Sequence, residues 1–220
     1  MELLVNCLFI NLKERKDRLQ KTLIELEKLN INGERFDAIK NENGALGCTL
    51  SHIACIEIAI NRNYEQIFIC EDDIKIVNEK EFIESIEDFN NKIKNWDVVL
   101  VSGNNFQPFY KVNICDSCIK INNCQTTTGY IVKKNYYSKL LQNFKESAKM
   151  LVEKNNTKNW AVDVHWKKLQ KDDSWFLIIP VNIVQYEGYS DIEKKNINYE
   201  NIMKKVDKQK LRNRYGFRLV

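Results

Sequence analysis

At 220 residues and 26.0 kDa the chain suits one substantial domain, large enough to bury a core without disulfide or zinc staples. Apolar residues at 44% and charged residues at 29% exclude a mainly disordered chain, and two prolines with seven glycines exclude a collagenous or linker-like one. The net charge of +4 is local: residues 194–220 hold nine Lys/Arg against Glu200 and Asp207, which leaves 25 basic and 28 acidic groups elsewhere. That slightly acidic body argues against a nucleic-acid groove, which spreads positive charge along a face.

Leu3 to Ile10 is short, apolar and bounded by charge, as a buried strand of a parallel sheet would be. Glu14 to Leu29 reads as a helix with Leu19, Leu23, Leu26 and Leu29 on one side. Arg35 to Ile39 is a second strand. Leu46 to Ile60 is a helix whose one charged residue is Glu57, so it must be buried on most sides. Gln66 to Cys70 is a strand that runs straight into Glu71-Asp72-Asp73. A helix carrying Phe82, Ile86, Phe89 and Ile93 follows, then the strand Trp96 to Val101. This alternation predicts a parallel α/β sheet.

The second half changes character. Phe109 to Ile114 and Ile119 to Ile121 flank Cys115-Asp116-Ser117-Cys118 as an antiparallel hairpin. Thr127 to Val132 is a strand, Tyr136 to Val152 and Ala161 to Leu169 are helices, and Trp175 to Ile179 is a strand stopped by Pro180. The stretch after Asn196 reads as helix.

No apolar run approaches the ~18–20 residues that span a bilayer. Leu3 to Ile10 lacks a basic leader and a small-residue cleavage site, so it does not read as an export signal. Seven cysteines in such a chain read as reduced thiols, and the expectation is a cytoplasmic protein. Cys115, Cys118 and Cys124 offer three nearby sulfurs with no histidine beside them. Structural zinc takes four ligands, so a plain hairpin turn is the better reading.

Glu71-Asp72-Asp73 is the most informative position. Three adjacent carboxylates repel one another and are costly beside an apolar strand. The strand delivers them to the carboxyl edge of the sheet, where open α/β folds place ligands. Hard oxygens gathered there suit Mg²⁺ or Mn²⁺, with a diphosphate as second ligand. The competing reading is a solvated acidic turn.

The chain resembles glycosyltransferase family 25, which includes bacterial lipooligosaccharide galactosyltransferases (enzymes of lipopolysaccharide biosynthesis) and is similar to collagen galactosyltransferases. The resemblance rests on six blocks in order: Phe9-Ile10-Asn11-Leu12 with Arg15, Asp17 and Arg18; Gly44 with Leu46-Gly47-Cys48-Thr49-Leu50-Ser51-His52-Ile53; Glu71-Asp72-Asp73; Thr127-Thr128-Gly129-Tyr130; Val162-Asp163; and Gln185 with Ser190-Asp191-Ile192. It implies a GT-A fold, Rossmann-like and α/β, with a mostly parallel sheet, helices on both faces and a small antiparallel portion. Within one domain over 1–220, residues 1–105 would bind a nucleotide sugar and 106–193 the acceptor, with 194–220 a basic tail. Relatives are often longer at the C-terminus, so a reduced acceptor region is expected.

The resemblance implies hexose transfer, with galactose from UDP-galactose as the expected donor, to a hydroxyl of a glycan or glycoprotein, with UDP displaced under metal assistance. Mn²⁺ or Mg²⁺ would be the cofactor. It makes Asp73 the direct metal ligand, joined by Glu71 and, as a late histidine, His165; a structural histidine between Trp160 and Trp166 is the plainer reading of His165. Asp163 is assigned as base or acceptor contact, and Asp72 to the catalytic carboxylates. Asn11, Arg18, Ser51, His52, Glu71, Thr128, Gly129, Gln185, Ser190 and Asp191 would contact substrate. The alternatives are a non-catalytic nucleotide- or glycan-binding protein of the same fold and a metal-dependent phosphohydrolase. The basic tail is a candidate for contact with an anionic membrane surface or acidic glycan, against a solvated helix.

Overall fold

Buried apolar runs build an eight-stranded sheet that collects strands from both halves of the chain. The structure, a computed structural model, describes residues 2–190 and 195–206. In chain order the first half contains β1 (Cys7–Asn11), α1 (Lys16–Lys28), β2 (Glu34–Asp37), α2 (Gly44–Asn61), β3 (Gln66–Glu71), β4 (Ile74–Ile76), α3 (Glu79–Lys92), β5 (Val98–Leu100) and β6 (Asn104–Asn105). The second half contains β7 (Phe109–Lys111), β8 (Cys118–Ile121), β9 (Cys124–Gln125), β10 (Gly129–Lys133), α4 (Tyr137–Lys154), α5 (Thr157–Trp160), α6 (Val162–His165), α7 (Lys167–Asp172), β11 (Trp175–Ile178), β12 (Ile183–Gln185), β13 (Gly188–Ser190), β14 (Lys195–Ile197) and α8 (Glu200–Lys204).

The main sheet runs β2-β1-β3-β10-β5-β11-β8-β7. Strands β2, β1 and β3 are mutually parallel, and so are β5 and β11. Antiparallel β10 is wedged between β3 and β5, and β8 with β7 adds an antiparallel edge. This mixed but mostly co-directed sheet has the GT-A arrangement that the motifs implied, and the Cys115–Cys118 turn does close the β7–β8 hairpin. All seven cysteines are free thiols.

Each face of the sheet carries its own apolar layer. One gathers α2, α4 and α6 over alternate residues of β1, β3 and β10; the other gathers α1 and α3 over the remaining ones. Helix α2 is the described helix long and apolar enough to cross a membrane by length and composition, with a mean hydropathy of 1.3. Here it lies along α4 in the first of these layers, as its near-absence of charge predicted. Asn43 starts it by accepting a hydrogen bond from the Leu46 amide at 3.2 Å.

Three departures from the sequence reading matter for the site. Leu23 faces solvent, because the inward stripe of α1 is Leu19, Thr22, Glu25 and Leu26, half of it polar. The helix expected over 161–169 breaks at Trp166, whose fully buried indole N–H donates to the Cys124 carbonyl at 2.9 Å. Strands β4 and β12 form an unanticipated two-stranded ladder with Ile74 opposite Gln185. That register brings a residue from position 185 beside the acidic triplet.

Candidate active site

Strand β3 ends on Glu71, and successive side chains along extended backbone point to opposite faces. The triplet is therefore divided rather than clustered. Glu71 turns toward α2 and β10: its Oε1 accepts from Thr127 Oγ1 at 2.8 Å and lies 3.4 Å from His52 Nε2. Asp72 turns toward α1, where Asn11 Nδ2 donates to it at 2.7 Å and Arg18 at 2.9 Å. Asp73 meets Gln185 Nε2 at 3.1 Å, with Arg18 3.8 Å away. Splitting the charges among three sets of partners relieves the repulsion that made the run costly.

Polar residues on the buried face of α1 brace this edge. Thr22 Oγ1 donates to the Asp72 carbonyl at 3.1 Å, and Glu25 accepts from the Ile76 amide at 2.7 Å and the Tyr186 hydroxyl at 2.6 Å. The electrostatics follow the partners. Burial opposes the Glu71 charge, but hydrogen bonds from His52, Thr127 and Cys48 outweigh it and hold the group below the usual carboxylate range. Burial raises Asp72 despite Arg18. Burial, reinforced by the Glu71 charge, raises Asp73 well above the ordinary value.

A cavity of about 470 Å³ opens over this edge, lined among others by Arg18, Gly47, Cys48, Glu71, Asp73 and Gln185. Its floor is held tightly. A Cβ on Gly47 would sit 2.6 Å from the Ile39 carbonyl oxygen, so only glycine lets α2 approach the 39–41 loop. Ser51 fixes the same loop, accepting from the Ile39 amide and donating to the Gly47 carbonyl, each at 2.8 Å.

Several residues assigned to substrate are spent on the protein itself. Asn11 donates to Asp72 and to the Arg15 carbonyl and accepts from Arg35 at 2.9 Å, so it is a buried hub rather than a ligand contact. Ser51 is likewise committed, and His52 is fully buried with Nδ1 2.8 Å from the Tyr130 hydroxyl. Asp72, placed among the catalytic carboxylates, has both oxygens engaged and positions Arg18 and Asn11. Thr128 is fully buried away from the cavity lining, its hydroxyl without a partner among the described residues. Gly129 is required for sheet packing rather than for sugar approach: a Cβ there would meet Val101 Cγ2 at 2.8 Å. Arg18, Ser51, Glu71, Asp72 and Gln185 line the cavity, Ser51 and Asp72 with their hydrogen bonds already committed.

His165 is not brought to the carboxylates as the metal assignment required. Its Nε2 lies 3.2 Å from Glu146 on α4 and its ring packs against Trp160 at 5.1 Å, as the structural reading of this residue anticipated. Ser190 ends β13, and Asp191 lies outside the described residues, as does the tail from 207. Asp163 lies close enough to Glu71 to feel its charge, and its Oδ2 accepts from the Thr126 amide at 3.0 Å. Burial and then the Glu71 charge raise it, against the Thr126 bond.

Two orphaned acceptors test whether a cation fits. Asp73 Oδ1 and Gln185 Oε1 are buried and accept no hydrogen bond among the described residues. Uncommitted oxygens on two side chains in contact, one of them a carboxylate that an ion can deprotonate, are a donor set for a hard divalent ion. The residues present fit such an ion.

The sequence reading missed Arg35, Tyr130, Tyr186 and Asn104. Asn104, which donates to Thr126 Oγ1 at 3.0 Å, had a legible signal: Ser102-Gly103-Asn104-Asn105 follows an apolar strand just as the acidic triplet follows β3.

Comparison with known proteins agrees with the motifs. A curated protein of Haemophilus influenzae named "Putative glycosyltransferase" is 38% identical over 71 residues, 31% of this chain and 25% of that protein; the match thus spans a quarter of the relative's length. Among solved structures, a glycosyltransferase involved in glycosylation of the major capsid of PBCV-1 is similar at TM-score 0.45 and 13% identity, covering 80% of this chain and 93% of that one. Mannose-1-phosphate geranyltransferase from Thermus thermophilus is similar at TM-score 0.48 and 9% identity, covering 79% and 73%. The family model of glycosyltransferase family 25 (LPS biosynthesis protein) matches residues 42–166, more than half of the sequence, a span that includes α2, the acidic triplet and Asp163. The chain belongs to glycosyltransferase family 25.

Proposed function

We propose that the chain transfers a hexose from a nucleotide sugar, UDP-galactose in the first instance, to a hydroxyl of a glycan or glycoprotein acceptor. The observation that carries this reading is the pair of buried, uncommitted oxygens on Asp73 and Gln185, two residues that line a cavity on the carboxyl edge of the sheet. Asp73, with Gln185 beside it, would hold Mn²⁺ or Mg²⁺. When bound, the ion supplies Lewis-acid neutralisation of the charge that develops on the leaving diphosphate.

The protein's own groups do the rest. Arg18, fixed by Asp72, offers a guanidinium to the diphosphate side of the cavity. Thr127, His52 and Cys48 hold Glu71 charged and in place, where its carboxylate can accept from sugar hydroxyls. Asp163 takes the proton of the acceptor hydroxyl. Its raised affinity for protons makes it a stronger base than an ordinary aspartate, and the Thr126 amide fixes its orientation.

The test is UDP release from UDP-galactose, UDP-glucose and UDP-N-acetylglucosamine, measured with and without Mn²⁺ against a panel of glycan acceptors. Metal-dependent turnover with one donor supports the reading. Absence of both turnover and metal-dependent nucleotide-sugar binding with every donor overturns it.

A further inference from the structure

Cys48 and His52 sit one turn apart on α2, and both turn toward Glu71 at the end of β3. Cys48 Sγ, a ring nitrogen of His52 and a carboxylate oxygen of Glu71 lie within 4.8 Å of one another. The Sγ–Oε1 edge is 3.6 Å and the Nε2–Oε1 edge 3.4 Å. Tetrahedral zinc, with bonds of about 2.3 Å to sulfur and about 2.0–2.1 Å to nitrogen and oxygen, has S···O and N···O edges of about 3.5 and about 3.4 Å. Two sides of the triangle therefore already have coordination dimensions.

The surroundings suit a metal ligand set as well. The Tyr130 hydroxyl, 2.8 Å from His52 Nδ1, fixes the ring with Nε2 toward Glu71, the outer contact that metal-binding histidines need. Cys48 and Glu71 line the cavity, so a cation can enter from solvent and complete its coordination with water. Among the described residues this is the one group of three such side chains within reach of a common ion. Sulfur and imidazole nitrogen make it a softer set than the all-oxygen pair of Asp73 and Gln185.

We infer that Cys48, His52 and Glu71 form a second cation site in the cavity wall, which takes a thiophilic divalent metal of the zinc class. Binding joins the ion to the Cys48 sulfur as thiolate, and the thiol proton leaves to solvent. Glu71 Oε1 also accepts from Thr127 Oγ1, so the site gives zinc-like metals a direct hold on a carboxylate of the cavity. Its existence does not depend on the reaction proposed above.

Cobalt reports such a site directly. The full chain, reduced with a phosphine, is titrated with Co²⁺ and followed by absorbance. The expected result is one equivalent bound, a thiolate-to-cobalt charge-transfer band and the strong visible bands of tetrahedral Co²⁺, all bleached by Zn²⁺. Cys48→Ser abolishes the charge-transfer band, Cys118→Ser keeps it, and Tyr130→Phe weakens binding by about tenfold or more. On the unmodified chain, Zn²⁺ should protect Cys48 from alkylation as read by peptide mass, a measurement independent of any variant's folding. Absence of the charge-transfer band, its survival in Cys48→Ser, or alkylation of Cys48 unaffected by Zn²⁺ overturns the inference.

Discussion

The two walls of the cavity satisfy their polar atoms in opposite ways. On the wall built from β1, α1 and the start of α2, Asn11, Asp72 and Ser51 spend their hydrogen bonds on one another and on backbone. On the side reached through β4 and β12, Asp73 Oδ1 and Gln185 Oε1 are buried without partners among the described residues. Buried polar atoms are nearly always paired, so a concentration of unpaired acceptors marks where a ligand is to supply the partner. Asp72 and Asp73 make the point within two residues: one is a brace, the other is the open group.

The sharpest way to break this contrast is Asp73→Asn. It removes the anionic member of the open pair while keeping its shape, and turnover should fall by about 10³-fold, the scale of losing one electrostatic stabiliser. Initial rates of UDP release, with circular dichroism to confirm folding, check it. Full activity would mean that Asp73 holds no ion that matters.

Asp163→Asn should follow in size, with kcat reduced by about 10²–10⁴-fold, the usual contribution of a general base. The Thr126 amide still finds an oxygen in the variant, so folding and the KM for the donor should hold. Asp163 acts deprotonated, and its affinity for protons is raised. Activity of the unmodified chain should therefore fall as pH drops, from a higher pH than an ordinary aspartate would give. That acid limb should vanish with the variant; its persistence would assign the base elsewhere.

The braced wall predicts the reverse split. Arg18→Met leaves the partly buried Asp72 carboxylate without its cation, which should cost about 3 kcal/mol of stability. Urea denaturation monitored by fluorescence checks it. If stability holds while the donor KM rises, Arg18 is a substrate contact more than a brace.

How much of this was legible depends on distance along the chain. The strand–helix alternation, the buried character of α2 and the position of the triplet at a strand end are local patterns, and each survives in the structure. The direction each carboxylate takes is set by strand alternation plus partners far along the chain, such as Asn11 and Arg18, 61 and 54 residues from Asp72. Gln185 reaches Asp73 through a three-residue ladder too short to show a period. His165 misled for a related reason: between Trp160 and Trp166 its sequence neighbourhood does not reveal that the ring will meet Glu146 across α4. Asn11 and Ser51 carry the residue types of a ligand contact, and only the completed network shows their bonds to be used up.

The smallest effect separates the walls by pH alone. Asp73 has its affinity for protons raised in the folded chain, so the native state keeps a proton that the unfolded chain has lost. Its favourable contribution is complete below the unfolded carboxylate pKa and fades as pH rises toward the folded value. Glu71 works oppositely: its affinity is lowered, so its contribution is present above the unfolded value and is lost as pH falls. Asp73→Asn removes the first dependence and keeps the second. In the metal-free state the variant should therefore gain stability over the unmodified chain as pH rises from acid to neutral, by about 1.4 kcal/mol for each unit by which Asp73 is raised. Melting temperatures of both chains across that range, with a chelator present, measure the gap, and added Mn²⁺ should narrow it by giving the Asp73 charge a partner. A constant gap across pH would mean that Asp73 is already satisfied in the folded chain and that the open wall is not where the cation binds.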